Sequence, residues 1–205
     1  MAERKDLNTI KQSLPDIDWD IIAEHEGYEI HPGIAYYPDA GNSGITIGMG
    51  VDLARQTPSM LRKYGLKISP YAAQMNESTN WDQVLGPINE QAEKMPHMQL
   101  SEEETAELNN AVGIDMYNKT AMRYYQETKK DFRLLPSDVK TTILSMTWNL
   151  GSKFKAPKTW DAIRREDWEG LGLELTQGEW EDNKDRRVNE GNYLLNSVYD
   201  RQYKD

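Results

Sequence analysis

The segment at residues 36–53, YYPDAGNSGITIGMGVDL, constrains the fold of this chain more than any other stretch. Gly44, Gly48 and Gly50 surround a β-branched run, Ile45-Thr46-Ile47. Such a run favours a pleated strand. Glycines inside a strand pattern mark a bulge, or a point where another backbone or a ligand comes close. Residues 34–37 read as one strand, 38–44 as a loop and 45–49 as a second strand, so a small hairpin or three-stranded sheet is expected. Acids flank it at Asp39 and Asp52, and Glu26-Gly27 lies upstream.

Helical patterns surround this segment. Residues 1–15 are polar and end at Pro15, which suits a short helix or a loose arm. Asp16 and Asp18 offer N-caps for a helix over 19–26, and Gly27 is a natural stop. Glu26 then falls in the last turn. There the negative end of the helix dipole disfavours a carboxylate and should raise its pKa. Thr57-Pro58 starts another helix that Gly65 ends. Residues 66–99, broken by Pro70, Pro87 and Pro96, read as irregular. Ser101-Glu-Glu-Glu104 is a capping box before a long helix whose apolar face runs Leu108, Val112, Met116, Ala121. Pro136-Ser137-Asp138 opens the helix expected to be most buried, with Val139, Ile143, Met146 and Leu150 inward. Further helices are expected over 160–165, 168–175 and 185–199. The expected class is α+β: a β lobe over residues 28–55 against a helical body over 57–205.

Composition excludes several classes. The 205 residues suit one domain, here an N-terminal arm at 1–15 followed by a single domain at 16–205. Cysteine is absent, which removes disulfides and thiolate metal sites. Of the three histidines, His25 and His31 stand near Glu24, but no HExxH motif occurs, and no metal or cofactor is expected. A net charge of −10 makes nucleic acid and anionic membranes poor partners. No apolar run is long enough to span a bilayer, and the N-terminus lacks an apolar signal core. The expectation is synthesis in the cytoplasm, with delivery by another component if the protein acts elsewhere. Six Trp and eleven Tyr against two Phe suit stacking on sugar rings as well as core packing.

Glycoside hydrolysis requires one carboxyl group kept protonated and a second kept ionised. Glu26 at a helix end fits the first role, and Asp52 or Asp39 in the glycine-rich segment fits the second. Spacing alone leaves surface charge the commoner explanation for any such pair.

The segment S-G-I-T-I-G-M-G-V-D-L at 43–53 resembles the S-G-V-T-I-G-x-G-x-D-L motif of the pesticin-like branch of the phage-type lysozymes and related effector domains. Ser43, Gly44, Thr46, Ile47, Gly48, Gly50, Asp52 and Leu53 match, with Ile45 in place of Val. Leu100-Ser-Glu-Glu, Leu144-Ser145, Asn149-Leu150-Gly151 and Arg186-Arg187-x-x-Glu190 resemble later family segments in the same order. The resemblance implies a lysozyme-like fold and a muramidase acting on the peptidoglycan glycan strand. It implies Glu26 as the acid on the bond between N-acetylmuramic acid and N-acetylglucosamine, Thr46 as holder of water or sugar, and Asp52 as second carboxylate. Asp39 occupies the middle place of the Glu, Asp, Thr order of many phage lysozymes, and otherwise reads as a turn residue. Tyr36, Tyr37 and Asn149 are candidate cleft residues. Gly44, Gly48 and Gly50 would support the hairpin. Arg186 or Arg187 would reach Glu26, or else form a surface ion pair with Glu190. A lytic transglycosylase and a catalytically silent wall-binding or virion module are the competing readings. The chain is expected to be a monomer, served by a holin, a secretion system or a carrier, with an immunity or inhibitor protein as a further partner.

Overall fold

The computed structural model describes residues 5–26, 33, 46–52, 100–180 and 183–202. Over these residues the chain forms α1 (Lys5–Ser13), α2 (Trp19–His25), β1 (Thr46–Ile47), β2 (Val51–Asp52), α3 (Glu102–Thr128), a 3-10 turn (Phe132–Leu134), α4 (Ser137–Leu150), α5 (Pro157–Arg165), α6 (Trp168–Gln177) and α7 (Lys184–Gln202). The described structure is mostly helical and fits a lysozyme-like body. Its sheet is one antiparallel strand pair, and the rest of the expected β lobe lies outside the described residues. So do the helix expected from Thr57 to Gly65 and the segment 66–99.

The chain divides into two compact units. One comprises Met1–Ser13 and Ala23–Ile114, the other Leu14–Ile22 and Asp115–Asp205.

In the first unit, α1 is a helix with Leu7 and Ile10 fully buried. Residues 46–52 then make a hairpin. Thr46 lies opposite Asp52, and Ile47 opposite Val51. The strand expected over 45–49 is therefore shorter. It ends at Ile47, because Gly48 and Gly50 take φ of +59° and +74° and turn the chain between them. That left-handed region favours glycine. The capping box forms as its sequence predicts. Ser101 Oγ accepts from the Glu104 amide at 3.2 Å, and Glu104 Oε2 accepts from the Ser101 amide at 2.9 Å.

The second unit is built around α4, in which every residue from 138 to 147 is buried. Its buried polar side chains are bonded, two of the threonines locally. The Thr142 and Thr147 hydroxyls donate to the carbonyls one turn earlier, of Asp138 and Ile143, at 2.9 Å each. Around α4 pack Tyr124, Phe132, Trp160, Ile163, Leu171, Leu194 and Val198. The inward aromatic near the end of α3 is Tyr124; Tyr125 is exposed. The start of α2 belongs here as well. Asp18 caps it through Oδ1, which accepts from the amides of Asp20 and Ile21. The Asp18 amide donates to Thr141 Oγ1 at 2.9 Å. Buried Trp19 meets Trp148 edge-on, with ring centroids 6.0 Å apart.

Helices α6 and α7 approach closely at Gly172 and Gly191. A Cβ on Gly191 would lie 2.7 Å from the Gly172 carbonyl oxygen and 2.6 Å from Thr176 Cγ2. A backbone oxygen cannot rotate aside, so the helices themselves must part. In an open helix Gly→Ala stabilises by roughly 0.5–1 kcal/mol. Here overpacking at about 1–3 kcal/mol opposes that gain. Gly191→Ala is expected to be net destabilising in urea unfolding, the reverse of its propensity effect.

Candidate active site

Glu26 occupies the turn immediately after α2 and is half-buried. The helix expected to include it ends one residue earlier, at His25. Ala23, three residues before Glu26 on α2, is fully buried.

The hairpin supplies two further candidates. Thr46 is 5 % exposed and stands directly across the ladder from Asp52. An antiparallel pair sets directly opposed residues ~5 Å apart, so the backbone register brings these two positions together. They are six residues apart in sequence, and it is the turn at 48–50 that closes the gap. The Gly50 amide donates to the Gly48 carbonyl at 2.9 Å. The Met49 amide, in a fully buried residue, donates to Asn109 Oδ1 on α3 at 3.0 Å. A Cβ on Gly48 would lie 2.8 Å from that same Oδ1. The close neighbour anticipated for Gly48 is thus a side chain of α3.

One turn earlier on α3 the pattern recurs. A Cβ on Gly33 would lie 2.7 Å from Thr105 Oγ1, and the Gly33 carbonyl accepts from the Leu100 amide at 2.8 Å. Thr105 and Asn109 are buried polar residues spaced i, i+4, so they share one face of the helix. That face seats two glycine turns. Neither residue stands out in the sequence, where the apolar stripe of the helix dominates. The available signal was two short polar side chains in helical register beside Leu108.

The second unit contains a buried ionic cluster. Glu190, 1 % exposed, receives Arg186 Nε on Oε1 at 3.1 Å and Arg187 Nη2 on the same oxygen at 3.2 Å. Arg187 Nη1 lies 3.0 Å from the other oxygen. The Ser145 hydroxyl also donates to Glu190. Arg187 is fully buried, lies over the Trp180 ring and donates to Asn149 Oδ1 at 3.0 Å. The ion pair read as a surface feature is therefore an interior one. Asn149, a candidate for the cleft, gives its side-chain carbonyl to Arg187. Burial pushes the Glu190 carboxyl up, against the opposing pull of Arg187, Arg186 and the Ser145 hydroxyl.

Tyr36, Tyr37, Asp39 and Gly44 lie outside the described residues, as does the Asp52 side chain.

An acid just beyond a short helix, a glycine-turned hairpin and a mainly helical body fit a lysozyme-like fold. Residues 16–169 match the family model Pesticin, described as a bacterial toxin homologue of phage lysozyme, C-terminal, and the chain belongs to that family. It is a lysozyme-like enzyme in general character. No curated protein matches it.

Proposed function

We propose that this protein is an N-acetylmuramidase that hydrolyses the β-1,4 bond between N-acetylmuramic acid and N-acetylglucosamine in peptidoglycan. The observation that carries the reading is the register of the hairpin within the family-matched region. Thr46 and Asp52, the motif positions to which the resemblance assigns roles in the reaction, are cross-strand partners. Glu26 protonates the glycosidic oxygen as the C1–O bond breaks. Asp52 remains ionised and either supports the positive charge that develops on the sugar or activates the incoming water. Thr46 holds that water or the sugar face. Water adds to C1, and the product is a reducing-end N-acetylmuramic acid.

The family description of a bacterial toxin supports a role in antagonism between cells. With a net charge of −10, the protein gains nothing from the anionic surface of a target cell. We assign its entry to a delivery partner, and protection of the producer to an immunity protein. Mass spectrometry of muropeptides released from purified sacculi tests the reaction. Hydrated reducing ends are expected. Anhydro-muramic ends would make the protein a lytic transglycosylase, and binding without released fragments would make it a wall-binding module.

A further inference from the structure

The hairpin at 46–52 turns through two glycines within three residues, Gly48 and Gly50. Among the described residues its ladder pairs Thr46 with Asp52 and Ile47 with Val51, and its turn carries a backbone bond from Gly50 to Gly48. Two glycines at positive φ could adopt many other conformations at little cost. Yet a register error of one residue would send every side chain to the opposite face. A contact from outside the turn that holds one of its peptides favours this conformation over the others.

Asn109 is placed to do so. It is fully buried and stands on α3, a helix of 27 residues. Its Oδ1 accepts the Met49 amide at the centre of the turn, at 3.0 Å. Met49 is itself fully buried, so without Asn109 that amide would lose a partner water cannot replace. Gly48 sits directly against the same oxygen and against Leu108 Cδ2, at 2.8 and 3.2 Å from where a Cβ would be. The turn is therefore gripped at its amide and at its α-carbon. Thr46 lies two residues before Gly48, and Asp52 two residues after Gly50. Fixing the Met49 peptide fixes the span between them.

We infer that Asn109 is a positioning residue for the reaction: by holding the Met49 amide it sets where the Thr46–Asp52 pair stands. The inference rests on the reading of Thr46 and Asp52 as working residues. A buried amide with only a packing role would change stability and leave chemistry per folded molecule untouched. A positioning residue changes kcat, because a misplacement of about 1 Å in reacting groups costs about a hundredfold.

The test compares Asn109→Ala with Asn109→Asp, which keeps an acceptor oxygen in the same place. Cleavage of soluble, uncross-linked peptidoglycan strands is measured below each melting temperature and normalised to folded protein. Asn109→Ala is expected to lose about 10–100-fold in kcat, with KM within about threefold of wild type. Asn109→Asp should recover most of that loss. Hydrogen exchange at the Met49 amide should accelerate in the alanine variant alone. If Asn109→Ala does not fold, Asn109→Ser takes its place, since its hydroxyl stops one bond short of the Met49 amide. A folded alanine or serine variant with wild-type kcat overturns the inference. So does an equal kcat loss in the alanine and aspartate variants. Glu26→Gln is assayed alongside. If that variant is fully active, or wild type cleaves nothing, the catalytic reading fails and the positioning role fails with it. If wild type cleaves, Glu26→Gln does not and Asn109→Ala is unimpaired, only the positioning role is lost.

Discussion

Glu26→Gln is expected to lower kcat on peptidoglycan by about 10²–10⁴-fold, the usual contribution of a positioned general acid. Gln matches Glu in shape and retains a polar side chain, but it has no proton to give the leaving oxygen. The residue lies just beyond the end of α2 and is half-buried, and the substitution leaves its backbone unchanged. The variant should keep its circular dichroism spectrum and bind sacculi as wild type does. Full activity in a folded Glu26→Gln protein would remove the muramidase assignment. The same assay ranks the second carboxylate. Asp52→Asn is expected to fall well below Asp39→Asn, because Asp52 stands opposite Thr46 in the matched hairpin. The opposite order would restore the Glu, Asp, Thr arrangement of other phage lysozymes.

Arg187→Met is expected to destabilise the fold by about 3–5 kcal/mol near neutral pH, the cost of breaking a buried ion pair by removing one partner. For a chain of this size, that lowers the melting temperature by roughly 6–20 °C. Methionine fills much of the space of the arginine stem, so the loss reports charge and hydrogen bonds more than a cavity. Three contacts disappear together: those to Glu190, to Asn149 and to the Trp180 face.

The pH dependence of this loss has a definite sign. Burial already raises the Glu190 carboxyl, and Arg187 is first among the groups that oppose the rise. Its removal raises the folded-state pKa further. A carboxyl whose folded pKa exceeds its unfolded value contributes stability below the unfolded pKa. That contribution is lost as pH rises through the folded value. Arg187→Met should therefore lie closest to wild type in acid and fall away as pH rises toward neutrality. Thermal melts across that range check it. A pH-independent deficit would show that Glu190 does not titrate there.

Local signals in this chain proved reliable where their physics is local. The Ser101/Glu104 box closes within one helical turn, and Asp18 caps α2 from the adjacent residue. Both needed only short-range geometry. The apolar run of α4 was equally plain, since a helix buried on all sides must carry residues that tolerate it on all sides. The hairpin was legible in kind but not in detail. Glycines announced a turn near residue 48, yet alternation alone could not show that the strand stops at Ile47 or that its partner is Val51–Asp52. The ion pairing of the arginines with Glu190 was legible but its burial was not, because i, i+3 and i, i+4 spacing is the same for an exposed ion pair and a buried one.

The sequence by itself determined the family, the helical body and the glycine-turned segment with its acid upstream. Each is written in residues close together along the chain, or in a motif that survives as a string. Tertiary structure alone decided what holds that segment. Asn109 and Thr105 meet Gly48 and Gly33 across long stretches of chain, and Glu190 takes its partners inside the protein. Such pairings depend on which faces of separate elements are brought together. Burial then makes a single amide or guanidinium bond decisive, because no water can take the place of the lost partner.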